Sequence, residues 1–325
     1  MKLLRKARKY KMCGIFGFSF YAEEAKTDLA ALLNELASES SVRGTDACGI
    51  AYHYKNRIVI DKAPKAAYAV TFKPPKEVSA IIGHTRHATH GLAKKNYNNH
   101  PFYGKAGDTK FALTHNGVLY NMDELQKQYR LPKSKIETDS YIAVQLIEQQ
   151  KLLDENSLRF MAETVSGSFS FALLDDKSNI YLIKGDNPIS ILHFPKEKLF
   201  VYASTEEILW KSVINTKLFD TLKLGHYEEI PLEEGQILKI TPKGELSYSK
   251  FDYDEYAAYG LFRWYDYGWG FATPTQSQSS KDDYMSMLKQ AALMEGYESS
   301  EIDALVAEGF SPDEIEDYIY GCYSY

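Results

Sequence analysis

The sequence predicts a layered α+β domain followed by a small helical tail, and two patterns support that prediction. Short apolar runs separated by turn residues predict β-hairpins, as at Lys55-Asn56 and at residues 176–179. Longer amphipathic segments predict helices. Hairpins favour antiparallel sheets over alternating β-α-β units, so we expect helices packed on antiparallel sheets.

The predicted strands are runs rich in apolar residues, at 14–20, 49–54, 57–61, 80–84, 110–114, 168–174, 180–184, 189–193 and 199–203. Helices are predicted over residues 27–39, 138–150, 155–165 and 205–213. In the first helix, leucines at positions 29, 32, 33 and 36 fall at helical spacing, and Thr27 or Asp28 is available as the N-cap.

The composition is that of a soluble globular protein, with 44% hydrophobic and 25% charged residues among 325. It excludes collagen-like and wholly disordered chains, and no apolar stretch approaches the ~20 residues that cross a bilayer. Three cysteines do not make a disulfide framework in a chain of this length. We therefore expect a cytoplasmic protein that does not bind membranes, in which one cysteine could be a working thiol.

Charge is distributed unevenly along the chain. Residues 252–325 hold 15 Asp or Glu against 3 Lys or Arg, whereas the first 251 residues hold 29 acids and 35 bases. The split suggests separate units, and an acidic tail lacks the basic surface that nucleic acid requires. No nucleic-acid partner is expected.

Four segments follow from these patterns: a basic extension (1–12), a body (13–250), an aromatic then Gln/Ser-rich linker (251–281) and an acidic tail (282–325). The extension is a solvated arm, a propeptide or a misassigned start, since no apolar signal-peptide segment follows it. In the tail, a repeat at an offset of 13 and a capping box at residues 311–314 predict three short helices. The tail either binds a protein partner or packs on its own body.

Chemically informative residues concentrate between residues 13 and 139, and each has an ordinary explanation when taken alone. Cys13 and Cys48 could be small core residues, and residues 115–117 could form a turn. His84, His87 and His90 could bind a metal on a helix, but a strand that runs into a turn would separate them. We expect no metal site and no cofactor.

Taken together, six motifs occur in one order: CGI (13–15), RGTD (43–46), GHTRHATHG (83–91), NHPF (99–102), HNG (115–117) and ETDS (137–140). The series resembles the glutaminase domain of class II glutamine amidotransferases, in the version found in glucosamine-6-phosphate synthase, except that His87 replaces a usual Trp. The resemblance covers residues 12–240. It implies the four-layer αββα sandwich of N-terminal-nucleophile hydrolases.

The resemblance also implies roles in hydrolysing the side-chain amide of L-glutamine. The Cys13 thiolate would attack the carbonyl, its free α-amino group would relay protons, and Asn116 and Gly117 would form the oxyanion hole. Arg86 would pair with the α-carboxylate and Asp139 with the α-ammonium group. The remaining roles are polar contacts from Thr89 and His90 and support of the Cys13 segment by Arg43. An ion pair between Arg43 and Asp46 is the alternative for those two side chains.

This chemistry needs a free amine on Cys13, which requires a start at Met12 or cleavage of the extension. If the extension is retained, the domain becomes a silent glutamine-binding or scaffold module. A hydrolase of other γ-glutamyl amides is a further alternative. The 74 residues beyond 251 contain no Walker or dinucleotide motif, so we expect a separate synthase to accept the ammonia, recruited through the tail.

Overall fold

The computed structural model describes residues 13–23, 28–88, 91–216 and 227–253, and residues 289, 292, 297, 299–308, 310 and 315 of the tail. The chain divides into two compact units, one with the described residues up to 253 and one with those from 289 onward. The predicted extension, Thr89, His90, the linker from residue 254 and the tail's capping box lie outside the described residues.

Thirteen strands are described in the first unit. In chain order they are β1 (Gly14–Phe20), β2 (Ala47–Tyr54), β3 (Arg57–Ala63), β4 (Ala80–Arg86), β5 (Phe102–Ala106), β6 (Thr109–Leu119), β7 (Gly167–Asp175), β8 (Ile180–Lys184), β9 (Ser190–Phe194), β10 (Leu199–Ala203), β11 (Glu228–Glu229), β12 (Gln236–Ile240) and β13 (Leu246–Lys250). The helices are α1 (Leu29–Ser40), α2 (Met122–Gln128), α3 (Tyr141–Gln149), α4 (Glu155–Thr164), α5 (Glu206–Asn215) and, in the tail, α6 (Ser299–Ala307). Two short 3₁₀ helices lie at Ala67–Ala69 and Asn96–Asn98.

The strands form two antiparallel sheets. The seven-stranded sheet has the order β11-β9-β10-β1-β4-β2-β3, and the six-stranded sheet has the order β13-β12-β8-β7-β6-β5. One core cluster joins α1 and α5 to the first sheet and reaches the second sheet through small and branched residues such as Ala112, Ala172 and Leu182. Alternate residues of the second sheet, such as Phe111, point to another cluster with α2, α3 and α4. The result is the predicted four-layer αββα sandwich.

The structure gives β1, β8 and β10 the bounds that the sequence predicts. The other predicted strands and all four predicted helices are present with shifted ends, whereas β5, β11, β12, β13 and α2 are not predicted. The alternative explanation of residues 115–117 as a turn is wrong, because these residues continue β6 to Leu119. Pairing with β7 overrides the local turn preference of an Asn-Gly sequence.

Local signals explain several element ends. Asp28, rather than Thr27, caps α1, since its carboxylate accepts hydrogen bonds from the N–H groups of Ala30 and Ala31. Lys55 and Asn56 form the predicted turn between β2 and β3, with φ of 46° and 61°. Positive φ at both central residues is the geometry of tight hairpin turns.

In the tail, α6 contributes to a small apolar cluster of the buried residues Ala292, Ile302 and Ile315. Tyr297, Leu305 and Phe310 pack around it. Elsewhere, Phe251 and Tyr253 pack against the core of the six-stranded sheet, beyond the end of β13. Within the described residues, no helix is long and apolar enough to span a bilayer.

Candidate active site

Cys13 stands immediately before β1, a central strand of the seven-stranded sheet. Gly14 is paired with Thr85 of β4, and β10 flanks β1 on its other side. The backbone of Ile15 is fixed further, because its N–H donates to Ser204 Oγ at 2.8 Å and its carbonyl accepts from Ser204 N–H at 2.9 Å. The sheet therefore holds the Cys13 segment in a defined position.

The Cys13 thiol is half-buried, and its Sγ lies 3.5 Å from the His87 carbonyl oxygen. Burial raises the pKa of this thiol to about 11, although a hydrogen bond with the His87 backbone and the nearby Arg86 and Arg43 charges lower it. Asp139 adds to the rise in pKa. A thiol with this pKa is protonated at neutral pH, so nucleophilic attack requires a base that removes its proton.

Arg43 connects Cys13 to Asn116. Its Nε donates to the Cys13 carbonyl oxygen at 3.0 Å, and its terminal nitrogen lies 3.5 Å from Asn116 Oδ1. Asp46 does not take the alternative role of ion-pair partner to Arg43. Its carboxylate accepts a hydrogen bond from Ala88 N–H at 2.8 Å and lies 3.6 Å from His87 Nδ1.

Asn116 is fully buried on β6, and its two side-chain atoms differ in environment. The oxygen is near Arg43, whereas Nδ2 has no hydrogen-bond partner among the described residues. Leaving a buried donor unpaired costs ~1–3 kcal/mol, so an amide held this way is typical of a ligand site. The neighbouring Gly117 has a φ of 138°, and a Cβ there would lie 1.9 Å from the Ser168 carbonyl oxygen.

Arg86 and Asp139 place opposite charges near Cys13. Arg86 is buried at the end of β4, where its guanidinium donates to Asn99 Oδ1 at 2.7 Å and to the Gly91 carbonyl at 3.0 Å. Asp139 is also buried and accepts from Leu119 N–H at 2.7 Å. The sequence places Asp139 inside a helix, but α3 begins two residues later, at Tyr141.

Three buried histidines lie near the charges of Arg86 or Asp139. The rings of His84 and His100 are 4.2 Å apart, and His115 lies further along, 6.4 Å from His100. Burial lowers the pKa of His84 to about 3 and lowers the pKa of His100 and of His115 as well. All three are therefore neutral at pH 7.

The histidines predicted as a metal alternative are separated as expected for a strand. His84 is buried in β4, His87 is partly exposed beside Asp46, and His90 lies outside the described residues. In the described part of the chain, no group of three or more His, Cys, Asp or Glu side chains is placed to hold a metal ion. Cys48 is buried in the core next to Asp61, and burial raises its pKa to about 12.

The structure thus brings Arg43, Arg86, Asn116 and Asp139 around Cys13, while Thr89 is outside the described residues. The sequence assigns no role to several contacting residues. Asn99, which holds Arg86, lies within a motif, but Asn187 and Ser204 are 71 and 189 positions from their partners. Such distant contacts leave no local sequence pattern.

Comparison with known sequences gives matches that include Arg86, Asn116 and Asp139 of this site. Residues 84–211 match a family described as a glutamine amidotransferase domain. The glutamine–fructose-6-phosphate aminotransferase (isomerizing) of Bacillus thuringiensis is 35% identical over 188 residues, and that of Staphylococcus aureus is 36% identical over 191. Each match covers 55% of this chain, which spans only 30% of those relatives' length.

Solved structures share the fold. Glutamine phosphoribosylpyrophosphate amidotransferase from B. subtilis aligns with a TM-score of 0.55 at 20% identity, over 74% of this chain and 50% of that chain. A structure described as the allosteric regulatory enzyme of purine biosynthesis aligns with a TM-score of 0.56 at 20% identity, over the same shares. The sequence matches show that residues 84–211 are similar to a glutamine amidotransferase domain, and the solved structures show that the first unit shares the αββα fold of these amidotransferases.

Proposed function

We propose that this domain acts as a glutamine amidotransferase and hydrolyses the side-chain amide of L-glutamine, with Cys13 as the nucleophile at the N-terminus of the mature chain. The products are glutamate and ammonia, and a separate enzyme accepts the ammonia. The observation that supports this proposal best is the buried Asn116 amide, which has no partner within the described residues and is connected to Cys13 by Arg43.

In the first step, the Cys13 thiolate attacks the amide carbon of glutamine, forming an S–C bond and leaving negative charge on the former carbonyl oxygen. Asn116 Nδ2 and the Gly117 N–H donate to that oxygen. Collapse of the intermediate breaks the C–N bond, and the leaving nitrogen takes a proton from the Cys13 α-ammonium group. Water then hydrolyses the thioester to glutamate and the free thiol.

The raised pKa of the Cys13 thiol, about 11, explains why a base is needed. A free α-amino group has an ordinary pKa of about 7.7–8.0, which suits proton transfer at neutral pH. In the 325-residue chain, the nitrogen of Cys13 is an amide and cannot accept a proton. Hydrolysis by this route therefore requires a mature chain that begins at Cys13, produced by a start at Met12 or by cleavage of the extension.

Arg86 and Asp139 are assigned to the two charged ends of the amino acid substrate. The planar guanidinium suits a carboxylate, and the Asp139 carboxylate suits an ammonium group. Both side chains are buried, and a buried charge attracts its partner more strongly than an exposed one. Thr89 and His90 are proposed to add polar contacts.

The test compares the full chain, a chain that begins at Cys13, and the latter with Cys13→Ala. We expect glutamate and ammonia only from the unsubstituted chain that begins at Cys13. Intact mass should also show that the protein from its native source begins at Cys13. Equal activity of the full chain would contradict the role of the free amine.

Two other functions make different predictions in the same experiment. A silent binding module would bind glutamine in both forms and release no glutamate from either. A hydrolase of other γ-glutamyl amides would prefer a member of a γ-glutamyl amide panel over glutamine, while keeping the contacts of Arg86 and Asp139 to the glutamyl group.

A further inference from the structure

We infer that Asn187 is a positioning residue that sets the direction of the Gly117 N–H in the oxyanion hole. This inference rests on the proposed function. Asn187 lies between β8 and β9, outside every sequence motif described above, and is only 3% exposed. Its Nδ2 donates to the Asn116 carbonyl oxygen at 3.2 Å and to Ser168 Oγ at 2.6 Å.

The Asn116 carbonyl and the Gly117 N–H belong to one peptide unit. A trans peptide is planar, and its C=O and N–H point in opposite directions. A donor that holds the Asn116 carbonyl therefore also fixes the direction of the Gly117 N–H. Asn187 acts on the oxyanion hole from behind and contacts no substrate atom.

This peptide unit needs an external restraint. Gly117 has a φ of 138°, a region open to glycine and rarely adopted by other residues. The space beside it is filled, since a Cβ at Gly117 would lie 1.9 Å from the Ser168 carbonyl oxygen and 2.9 Å from Asn187 Nδ2. Glycine lets the peptide rotate, and the Asn187 donor favours one orientation of it.

The two residues before Asn187 are held in place by β7. Gly185 N–H donates to the Phe169 carbonyl at 3.2 Å, and Phe169 N–H donates to Asp186 Oδ1 at 2.8 Å. His84 restrains the β6 backbone on the other side of Asn116, because its Nε2 lies 2.8 Å from the His115 carbonyl oxygen. The two carbonyls on either side of the Asn116 side chain therefore each have a side-chain partner.

Asn187→Asp and Asn187→Leu test the inference, because both keep the size of the side chain and remove the donor. They are made in the form of the chain in which the wild type hydrolyses glutamine. Complete loss of an oxyanion-hole donor lowers kcat about 10²–10³-fold, so a misdirected donor should lower it about 10–100-fold. KM should change less than about twofold, since the affected contact forms only in the transition state.

Asn179→Leu is the matched control. Asn179 is another buried asparagine, whose Nδ2 donates to Asp175 Oδ2 at 2.7 Å at the other end of β7. We expect this variant to lose stability and retain kcat. If Asn179→Leu and Asn187→Leu lower kcat equally, the effect of Asn187 is general destabilisation and the inference is wrong.

L-Glutamate γ-semialdehyde gives a second readout. The Cys13 thiol adds to its carbonyl, forming an S–C bond and moving the thiol proton to the oxygen, which then lies at the oxyanion hole. We expect Asn187→Leu to weaken inhibition by this aldehyde by the same factor as kcat and to leave inhibition by glutamate unchanged. Equal weakening of both inhibitors would overturn the inference.

The outcomes separate the two proposals. An active wild type with an unaffected Asn187→Leu variant overturns the inference alone. A wild type that neither hydrolyses glutamine nor binds the aldehyde more tightly than glutamate overturns the proposed function and the inference with it.

Discussion

Asn116 illustrates how a single residue can serve function at a cost in stability. Its Nδ2 is buried and lacks a hydrogen-bond partner within the described residues, while its Oδ1 makes a long contact of 3.5 Å with Arg43. An apolar side chain of the same size would not carry the unpaired donor. Stability and activity should therefore respond in opposite directions when this residue is replaced.

Asn116→Leu should lower kcat for glutamine hydrolysis about 10²–10³-fold, since one oxyanion donor is lost. Its free energy of unfolding should be no lower than that of the wild type, because removal of an unpaired buried donor offsets loss of the long Arg43 contact. Steady-state kinetics and chemical denaturation measure the two quantities. A variant that is both inactive and unstable would show that the amide has a structural role.

The buried histidines predict acid sensitivity. The pKa of His84 is about 3 in the folded protein, against an ordinary value of 6.5, and burial also lowers the pKa of His100 and His115. Between these values the unfolded chain binds more protons than the folded one. The contribution of the neutral histidines to the free energy of unfolding is therefore fully present above pH 6.5. It is lost as the pH falls toward 3.

His100→Phe should reduce that sensitivity. Both ring nitrogens of His100 are buried without a partner among the described residues, and the ring packs 4.3 Å from Phe102. The variant removes one titrating group, so the slope of unfolding free energy against pH should fall by up to about 1.4 kcal/mol per pH unit. If the free energy of unfolding depends on pH in the same way for wild type and variant between pH 7 and pH 5, this explanation is wrong.

At the scale of residues, the individual members of the candidate site could be predicted from the sequence, because they lie in six motifs that occur together in one order. In the structure, Arg43 contacts both Cys13 and Asn116. The residues that orient them could not be predicted, since Asn187 and Ser204 act across 71 and 189 positions. These residues are recognised because their polar side chains are buried, and burial is known only from the folded structure.

At the level of elements, prediction succeeded where an apolar run has clear ends, as in β1 and β10. It failed where pairing decides the structure. β6 runs eleven residues because β7 pairs with it through the polar segment His115–Gly117, which resembles a turn. β13 is an edge strand with mostly exposed or half-exposed residues and lacks the apolar alternation that marks buried strands.

The β2–β3 hairpin offers a test of turn geometry. Lys55 has a φ of 46°, a conformation that favours Asn or Gly over a long side chain. Replacing Lys55-Asn56 with Asn-Gly should raise the free energy of unfolding by about 1 kcal/mol, as chemical denaturation would measure. Lys73→Asn, at an exposed position without positive φ, is the control and should change little. Equal effects at both positions would argue against the turn as the cause.

At the scale of the whole molecule, an acidic tail follows a body of balanced charge, since residues 13–250 hold 29 Asp or Glu and 29 Lys or Arg. The body contains the candidate active site, and 15 of the chain's 44 acidic residues lie in residues 252–325. We propose that the tail recruits the enzyme that accepts the ammonia. A truncation that tests this must end after Tyr253, because Phe251 and Tyr253 pack on Phe169 in the core.

A chain truncated after Tyr253 should keep the glutaminase kcat of the matching untruncated form. In extracts of the native source, the untruncated protein should elute in a larger complex than the truncated one by size-exclusion chromatography. If both elute in the same complex, the tail does not recruit the partner.

The central position of β1 has a consequence for maturation. Its pairing with β4 and β10, and the Ser204 contacts to Ile15, hold the backbone from Gly14 onward. A cut before Cys13 would therefore leave the nucleophile where it is and change mainly the local charge. The new amine would lie close to Arg43 and Arg86, and like charges lower the pKa of an amine. Maturation would then be an acid–base event, in which an already folded site gains its proton acceptor.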